Sequence, residues 1–211
     1  YGTVNVMYNN IPIQVTPFRT DENYDGRHCE CKFVKTLKED LNRRDFTINA
    51  IALDKNGYSI DYFCGIRDIS LGLIRSIEEP KITYQRDQLR AMRAIRFITT
   101  KKKFILEKKT FDALFNVKLD KLSKERIHDE LIKILKSPNR MIGLLYLDVT
   151  GLLKQIIPEI EELKNTKQDK INHPEGNVFT HTMSVVKNLP PYSPIELVLA
   201  GLLHDIAKPV V

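Results

Sequence analysis

The sequence is short of several things, and each shortage excludes something. It has three cysteines, Cys29, Cys31 and Cys64, among 211 residues. An odd and sparse set builds no disulfide framework. His28, Cys29 and Cys31 carry metal-ligating atoms, but no second ligand pair follows at a zinc-like spacing, which argues against a structural zinc site. No apolar run approaches the roughly 20 residues that span a bilayer. No secretory signal is visible, so the cytoplasm is the expected compartment and no membrane partner is expected. There is no internal repeat and no low-complexity tract.

What is present is the balance of a globular chain, 42% hydrophobic and 28% charged, with enough length to bury a core in one large domain or two small ones. Thirty-three basic against 27 acidic side chains leave a formal net charge of +6, a modest excess that suits a polyanion such as RNA. The chain opens on Tyr1 inside a β-rich run and stops at Val211 after a helix-like one, so the protein is expected to extend in both directions.

Val4 to Tyr8 and Ile11 to Phe18 are β-rich runs around Asn9-Asn10. Asparagine tolerates positive φ, so a hairpin is predicted. Ile11, Ile13 and Val15 alternate with Pro12, Gln14 and Thr16, which predicts one buried face. The polar stretch from Arg19 to Cys31 reads as a flexible loop, and Phe33 to Arg44 as a helix charged on one face. Ile48 to Leu53 and Tyr58 to Phe63 flank Lys55-Asn56-Gly57 as a second hairpin. Beyond about Pro80 few strand signals remain. Leu89 to Phe97, Ser123 to Leu135, Arg140 to Leu147, Phe179 to Leu189 and Glu196 to Ile206 read as helical, the first three by their three- and four-residue apolar spacing. Lys164 to Lys170 is linker-like. The expected class is α+β.

The segment Arg86-Asp87-Gln88-Leu89-Arg90-Ala91-Met92-Arg93-Ala94-Ile95-Arg96-Phe97 carries the most chemistry. On a helix, positions three apart lie nearly above one another, so Arg90, Arg93 and Arg96 form one ridge beside an apolar ridge of Leu89, Met92 and Ile95. Three neighbouring arginines repel unless an anion or acid is near, and guanidinium forks suit phosphates and base edges. Asp87, one turn before Arg90, is placed to hold that fork. A solvated basic face with intrahelical ion pairs is the alternative.

Arg43-Arg44-Asp45-Phe46-Thr47-Ile48-Asn49-Ala50 follows the first amphipathic run. Two arginines, an acid and an amide form a compact set of phosphate and ribose partners, with a capped helix end as the plain reading. This string resembles a signature of the bacterial-type (class II) CCA-adding tRNA nucleotidyltransferases and their bacterial poly(A) polymerase relatives. The resemblance continues in order: Thr16 to Asp21 is similar to the family's strand before a flexible loop. Ile60 to Gly65 is similar to its IDPFGG segment, Asp87 to Phe97 to its nucleotide-selecting helix, and Ser123 to Leu135 and Asp148 to Glu159 to its next two motifs.

The resemblance implies the C-terminal part of a polymerase-β-like palm over 1–79. It further implies an all-helical neck and body over 80–165, which select nucleotide and bind RNA, and the start of a helical HD domain over 166–211. It implies transfer of CMP and AMP from CTP and ATP to the tRNA 3′ end at the acceptor stem, without a template. Asp87 and Arg90 would read the base, and Arg93 and Arg96 would support or contact phosphate. Arg43 or Arg44 would bind the triphosphate, Asp45 would lie near the ribose with Asn49 beside it, and Glu125-Arg126 would brace the selecting helix. The contact with tRNA would be mostly to phosphate and shape, hence salt-dependent.

The match has departures. Arg86 stands where Glu is usual, Tyr62 and Cys64 replace Pro and Gly, and Gln14 stands where Glu is common. The family's Gly-rich loop and Asp-x-Asp motif, whose aspartates hold Mg²⁺, would lie upstream, so the 211-residue chain alone is expected to be inactive. Near the other end, His173-Pro174-Glu175-Gly176, His181 and His204-Asp205 with Lys208 resemble the start of an HD phosphohydrolase domain. Two imidazoles and a carboxylate suit a second divalent ion, while a purely structural copy remains open. The rival functions are a poly(A) polymerase, an HD phosphohydrolase with an RNA-binding front half, and a non-catalytic RNA-binding protein.

Overall fold

Asn9 and Asn10 both adopt positive φ, 47° and 61°, as a two-residue hairpin turn with the right twist requires. They join β1 (Val4–Tyr8) to β2 (Ile11–Val15), antiparallel with Val6 opposite Ile13. The structure, a computed structural model, describes residues 2–22, 30–100, 103–168 and 176–210. The predicted buried face is not realised, because Ile11, Ile13 and Val15 are all exposed. Alternation marks a face fit for burial, but two strands alone have no layer to bury it against.

The loop expected from Arg19 to Cys31 contains two strands. β3 (Arg19–Glu22) pairs antiparallel with β4 (Glu30–Phe33), Asp21 opposite Cys31. A strand of charged residues shows no apolar alternation. Its charges are met sideways instead, Asp21 lying 3.3 Å from Arg19 and 3.1 Å from Arg43. The Val34 N–H still donates to the Phe18 carbonyl at 2.9 Å, so the helix predicted from Phe33 begins later, as α1 (Leu37–Asn42). Thr36 caps it by accepting from the Glu39 N–H, the capping-box spacing.

Residues Thr47–Asn49 form a 3-10 turn, which delays the predicted strand to β5 (Ala52–Leu53), paired antiparallel with β6 (Ser59–Ile60). The Asp61 carboxylate then accepts from the Gly65 and Ile66 N–H groups at the start of α2 (Gly65–Leu71). Cys64 sits at φ 60°, a left-handed conformation that glycine adopts at least cost. β7 (Leu73–Ile74) runs parallel to β8 (Ile105–Leu106). Two-residue strands are too short for any periodicity to announce them.

The remainder is helical: α3 (Pro80–Arg86), α4 (Leu89–Thr100), α5 (Lys108–Asp112), α6 (Lys124–Leu135), α7 (Arg140–Val149), α8 (Leu152–Ile156), α9 (Glu159–Glu162), α10 (Val178–Asn188) and α11 (Ile195–Leu203). Met92 and Ile95 of α4, Ile134 and Leu135 of α6, and Leu144 and Leu147 of α7 are wholly buried, the stripe that helical spacing predicts. Gly143 lets α7 close on its neighbours, since a Cβ there would overlap methyls of Ile134 and Thr99. The buried Arg140 donates to the carbonyls of Leu135, Leu189, Pro190 and Pro191, clamping the ends of α6 and α10 together. Burial holds its pKa below the usual arginine value. The chain is α+β. Among the described residues no helix is long and apolar enough to cross a membrane.

Candidate functional site

The end of α1 leads directly into Arg43 to Asn49, and α4 carries Arg90 and Arg93 toward that segment. Between them lies a cleft of about 540 Å³ lined by Asp21, Arg43, Arg44, Asp45, Asn49, Asp87, Leu89, Arg90, Arg93, Phe97 and Arg126. Five arginines against three aspartates leave two positive charges over, which suits an anionic ligand.

Asp45 is the centre of this arrangement. It is buried, with one oxygen accepting from the Phe46 N–H at 2.8 Å and the Asn49 amide at 2.9 Å. The other oxygen receives Arg93 Nε at 2.7 Å and Nη2 at 2.6 Å. A carboxylate offers about four lone-pair sites, and all four are taken within the protein. Asp45, expected beside a ribose, is thus engaged in holding Arg93 and Asn49.

Arg43 is fixed by Asp40 at 3.0 Å and Asp21 at 3.1 Å. Arg44 is more exposed and donates to the Asn49 carbonyl at 3.1 Å. Arg90 donates through Nη2 to the Arg43 carbonyl. The expected Asp87 to Arg90 side-chain pair is replaced by two other contacts. Asp87 accepts from the Leu89 N–H at 3.1 Å, as a residue capping α4 does, and faces Arg126 of α6 at 3.4 Å. The reason is geometric: a residue at the helix start turns its carboxylate onto the free N–H groups of the first turn.

Arg126 therefore stands against the start of α4, while Glu125 is exposed on the same turn. Arg96, expected to support or contact phosphate, has partners of its own on α6 and α4. Its guanidinium lies 2.6 Å from the buried Glu130 and over the Phe97 ring at 4.5 Å, outside the cleft lining. One ridge of three arginines thus faces two different surroundings, Asp45 at Arg93 and Glu130 at Arg96. Arg86 also turns elsewhere, onto Glu78, which accepts from Asn42 as well. Sequence reasoning missed Asp21 and Phe97. The available signal for Asp21 was its i, i+2 spacing from Arg19, which puts both on one strand face.

A separate cluster joins α10 to the residues after α11. His204 Nε2 lies 3.3 Å and His181 Nε2 4.0 Å from one oxygen of Asp205. The candidate ligand atoms of the three residues fall within 4.8 Å of one another, close enough to share one ion. Lys208 Nζ lies 2.7 Å from the same oxygen. His173 to Glu175 lie outside the described residues, as do His28 and Cys29, while Cys31 donates to Asp21 at 3.5 Å.

Residues 1–75 match the family described as the poly A polymerase head domain, and residues 103–164 the one described as the probable RNA and SrmB-binding site of polymerase A. The CCA-adding enzyme of Enterococcus faecalis is 45% identical over 148 residues, 68% of this chain and 36% of that protein. The crystal structure of the Bacillus stearothermophilus CCA-adding enzyme in complex with CTP matches with a TM-score of 0.65 at 29% identity, over 97% of this chain and 54% of that one. The Thermotoga maritima CCA-adding enzyme complexed with tRNA gives 0.66 at 22% identity, over 98% of this chain and 49% of that one, a likeness of fold. The chain spans half or less of the length of curated relatives such as the Enterococcus faecalis and Lactobacillus delbrueckii enzymes.

Proposed function

The chain belongs to the family of CCA-adding enzymes and poly(A) polymerases, and on that premise we propose that the full-length protein adds CMP and AMP, as CCA, to the 3′ end of tRNA. The observation that carries this reading is the positively charged cleft in which Arg43, Arg44, Asp45 and Asn49 meet Asp87, Arg90 and Arg93. Its volume lies in the range of small-molecule sites.

In this reading Arg43 and Arg44 bind the triphosphate, the first held rigid by two aspartates and the second freer to follow its ligand. Asp87 accepts from the exocyclic amino group of cytosine or adenine, and Arg90 donates to the neighbouring ring acceptor. Uracil and guanine present a carbonyl where Asp87 needs a donor, so they are refused. Arg93, locked on Asp45, sets the electrostatics behind the phosphates, and Arg126 keeps the Asp87 carboxylate oriented. Mg²⁺, when bound, activates the RNA 3′ hydroxyl and neutralises the leaving pyrophosphate. Each cleft aspartate is already engaged by a guanidinium, so the Mg²⁺ ligands are assigned to a segment outside this chain.

The domain reading follows the same lines, with a palm portion over 1–79, a neck and body over 80–165 and the start of an HD domain from 166. Two imidazoles and one carboxylate are a fitting donor set for a second divalent ion at His181, His204 and Asp205. The cytoplasm is the proposed compartment, and tRNA affinity should fall steeply with added salt.

The test is incubation of the full-length protein with Mg²⁺ and tRNA lacking its 3′ CCA, offering CTP alone, ATP alone, or both. Ordered addition of two C and one A is expected. Long runs of A from ATP alone would assign the poly(A) polymerase activity instead. No incorporation would overturn the nucleotidyltransferase reading.

A further inference from the structure

Gln88 follows Asp87 but faces away from the cleft. It lines a separate cavity of about 440 Å³ with Lys81, Lys118 and Lys121. Its side-chain amide donates to Asp120 Oδ1 at 2.8 Å, and its carbonyl oxygen accepts from the Lys121 N–H at 3.0 Å. Both partners belong to the segment 117–122 that precedes α6. On the far side of the same segment Gln155 repeats the arrangement, accepting from the Leu119 N–H and donating to the Val117 carbonyl, each at 3.0 Å. Two primary amides thus grip one irregular stretch of backbone.

That stretch ends on Ser123, which caps α6 by accepting from the Arg126 N–H. Arg126 then returns to Asp87, where its Nη2 lies 3.4 Å from both carboxylate oxygens. The contacts close a ring: Asp87, Gln88, residues 120 and 121, Ser123, Arg126, and Asp87 again. At 3.4 Å the last contact is longer than an ordinary hydrogen bond, so a shift of a few tenths of an ångström in the segment either breaks it or collapses Arg126 onto Asp87.

We infer that Gln88 is a positioning residue for base selection, holding residues 120 and 121, and through them Arg126, at the separation that leaves Asp87 free to accept from a base. The amide of Gln88 also keeps the Asp120 carboxyl below its usual pKa, as an ionised acceptor. This inference rests on the reading of Asp87 as a base contact. It adds a residue that touches no nucleotide in the cleft.

The experiment compares kcat/KM for CTP and UTP on tRNA lacking its 3′ CCA, using the full-length protein, with thermal midpoints measured in parallel. Gln88→Ala is expected to lower the CTP over UTP ratio about five- to tenfold, the worth of one or two hydrogen bonds, with little change in thermal midpoint. A merely structural loss would slow both nucleotides equally and leave the ratio alone. Gln88→Glu alone should also lower the ratio, because two carboxylates then face each other. Combining it with Asp120→Asn should restore the ratio, since the donor and acceptor are exchanged. An unchanged ratio in Gln88→Ala, or no restoration in the exchanged pair, would overturn the inference. Asp87→Asn separates the two claims. If it leaves the ratio intact, the base-reading assignment falls and this inference with it; if it abolishes the ratio while Gln88→Ala does not, only the role of Gln88 falls.

Discussion

Arg93 lays two donors, Nε at 2.7 Å and Nη2 at 2.6 Å, on a single oxygen of Asp45, joining α4 to a segment 48 residues earlier in the chain. The other Asp45 oxygen is already satisfied by the Phe46 N–H and the Asn49 amide. The bond is therefore a joint between the two halves of the cleft as well as an element of its charge.

Asp45→Ala removes that joint and leaves a buried N–H without its acceptor. It should destabilise the protein by about 2 to 3 kcal/mol, the range for hydrogen bonds to charged groups. Arg93→Ala leaves the Asp45 carboxylate buried with two neutral donors and no counter-charge, and should be the costlier change at about 3 kcal/mol or more. Urea unfolding of both variants checks the order. A change in Asp45→Ala no larger than a surface substitution, within about 0.5 kcal/mol, would contradict the central place given to that carboxylate.

Arg96, on the same ridge, should behave differently. Arg96→Ala leaves Glu130 buried with Lys133 as its remaining ion-pair partner at 2.9 Å. Breaking a buried pair from one side costs about 3 kcal/mol or more, so the thermal midpoint should drop while KM for CTP stays near that of the parent. A large rise in KM without loss of stability would return Arg96 to the nucleotide.

Tyr84 is buried and donates its hydroxyl to the Thr110 carbonyl at 3.1 Å. Burial, and next the nearby Glu107 and Asp45 charges, push its pKa above the ordinary value of 10. The unfolded chain releases this proton first. Stability from this group is thus full below pH 10 and falls as pH rises above it, by at most about 1.4 kcal/mol per pH unit for one proton. Tyr84→Phe should flatten the alkaline limb of the stability curve by about that slope. An identical limb in both proteins would refute the assignment.

Lys208 holds its ammonium 2.7 Å from the Asp205 oxygen that faces both His181 and His204. A cation at the histidines has to compete with it. Lys208→Ala in the full-length protein should tighten Mn²⁺ binding about tenfold, the scale of one charge-assisted hydrogen bond, and His204→Ala should abolish it. Titration calorimetry that finds no Mn²⁺ binding in any of these proteins would make the cluster structural.

The sequence by itself determined what is local. Asn9-Asn10 made the first hairpin turn, Thr36 and Ser123 placed caps, and three- and four-residue spacing drew α4, α6 and α7 within a few residues of their ends. It also marked Arg43 to Asn49 and Asp87 to Arg93 as chemistry-bearing, and the structure lines one cleft with most of them. What it left open is non-local. Arg93 and Arg96 share a ridge and a residue type, yet one meets Asp45 and the other Glu130. The residue pattern alone read β3 as loop because its charges are answered across space by Arg43, and it could not show β7 and β8 because each has only two residues. Caps and periodicity act over one or two turns, whereas the partner of a charged side chain is chosen by which helices pack together, and only the tertiary structure decides that.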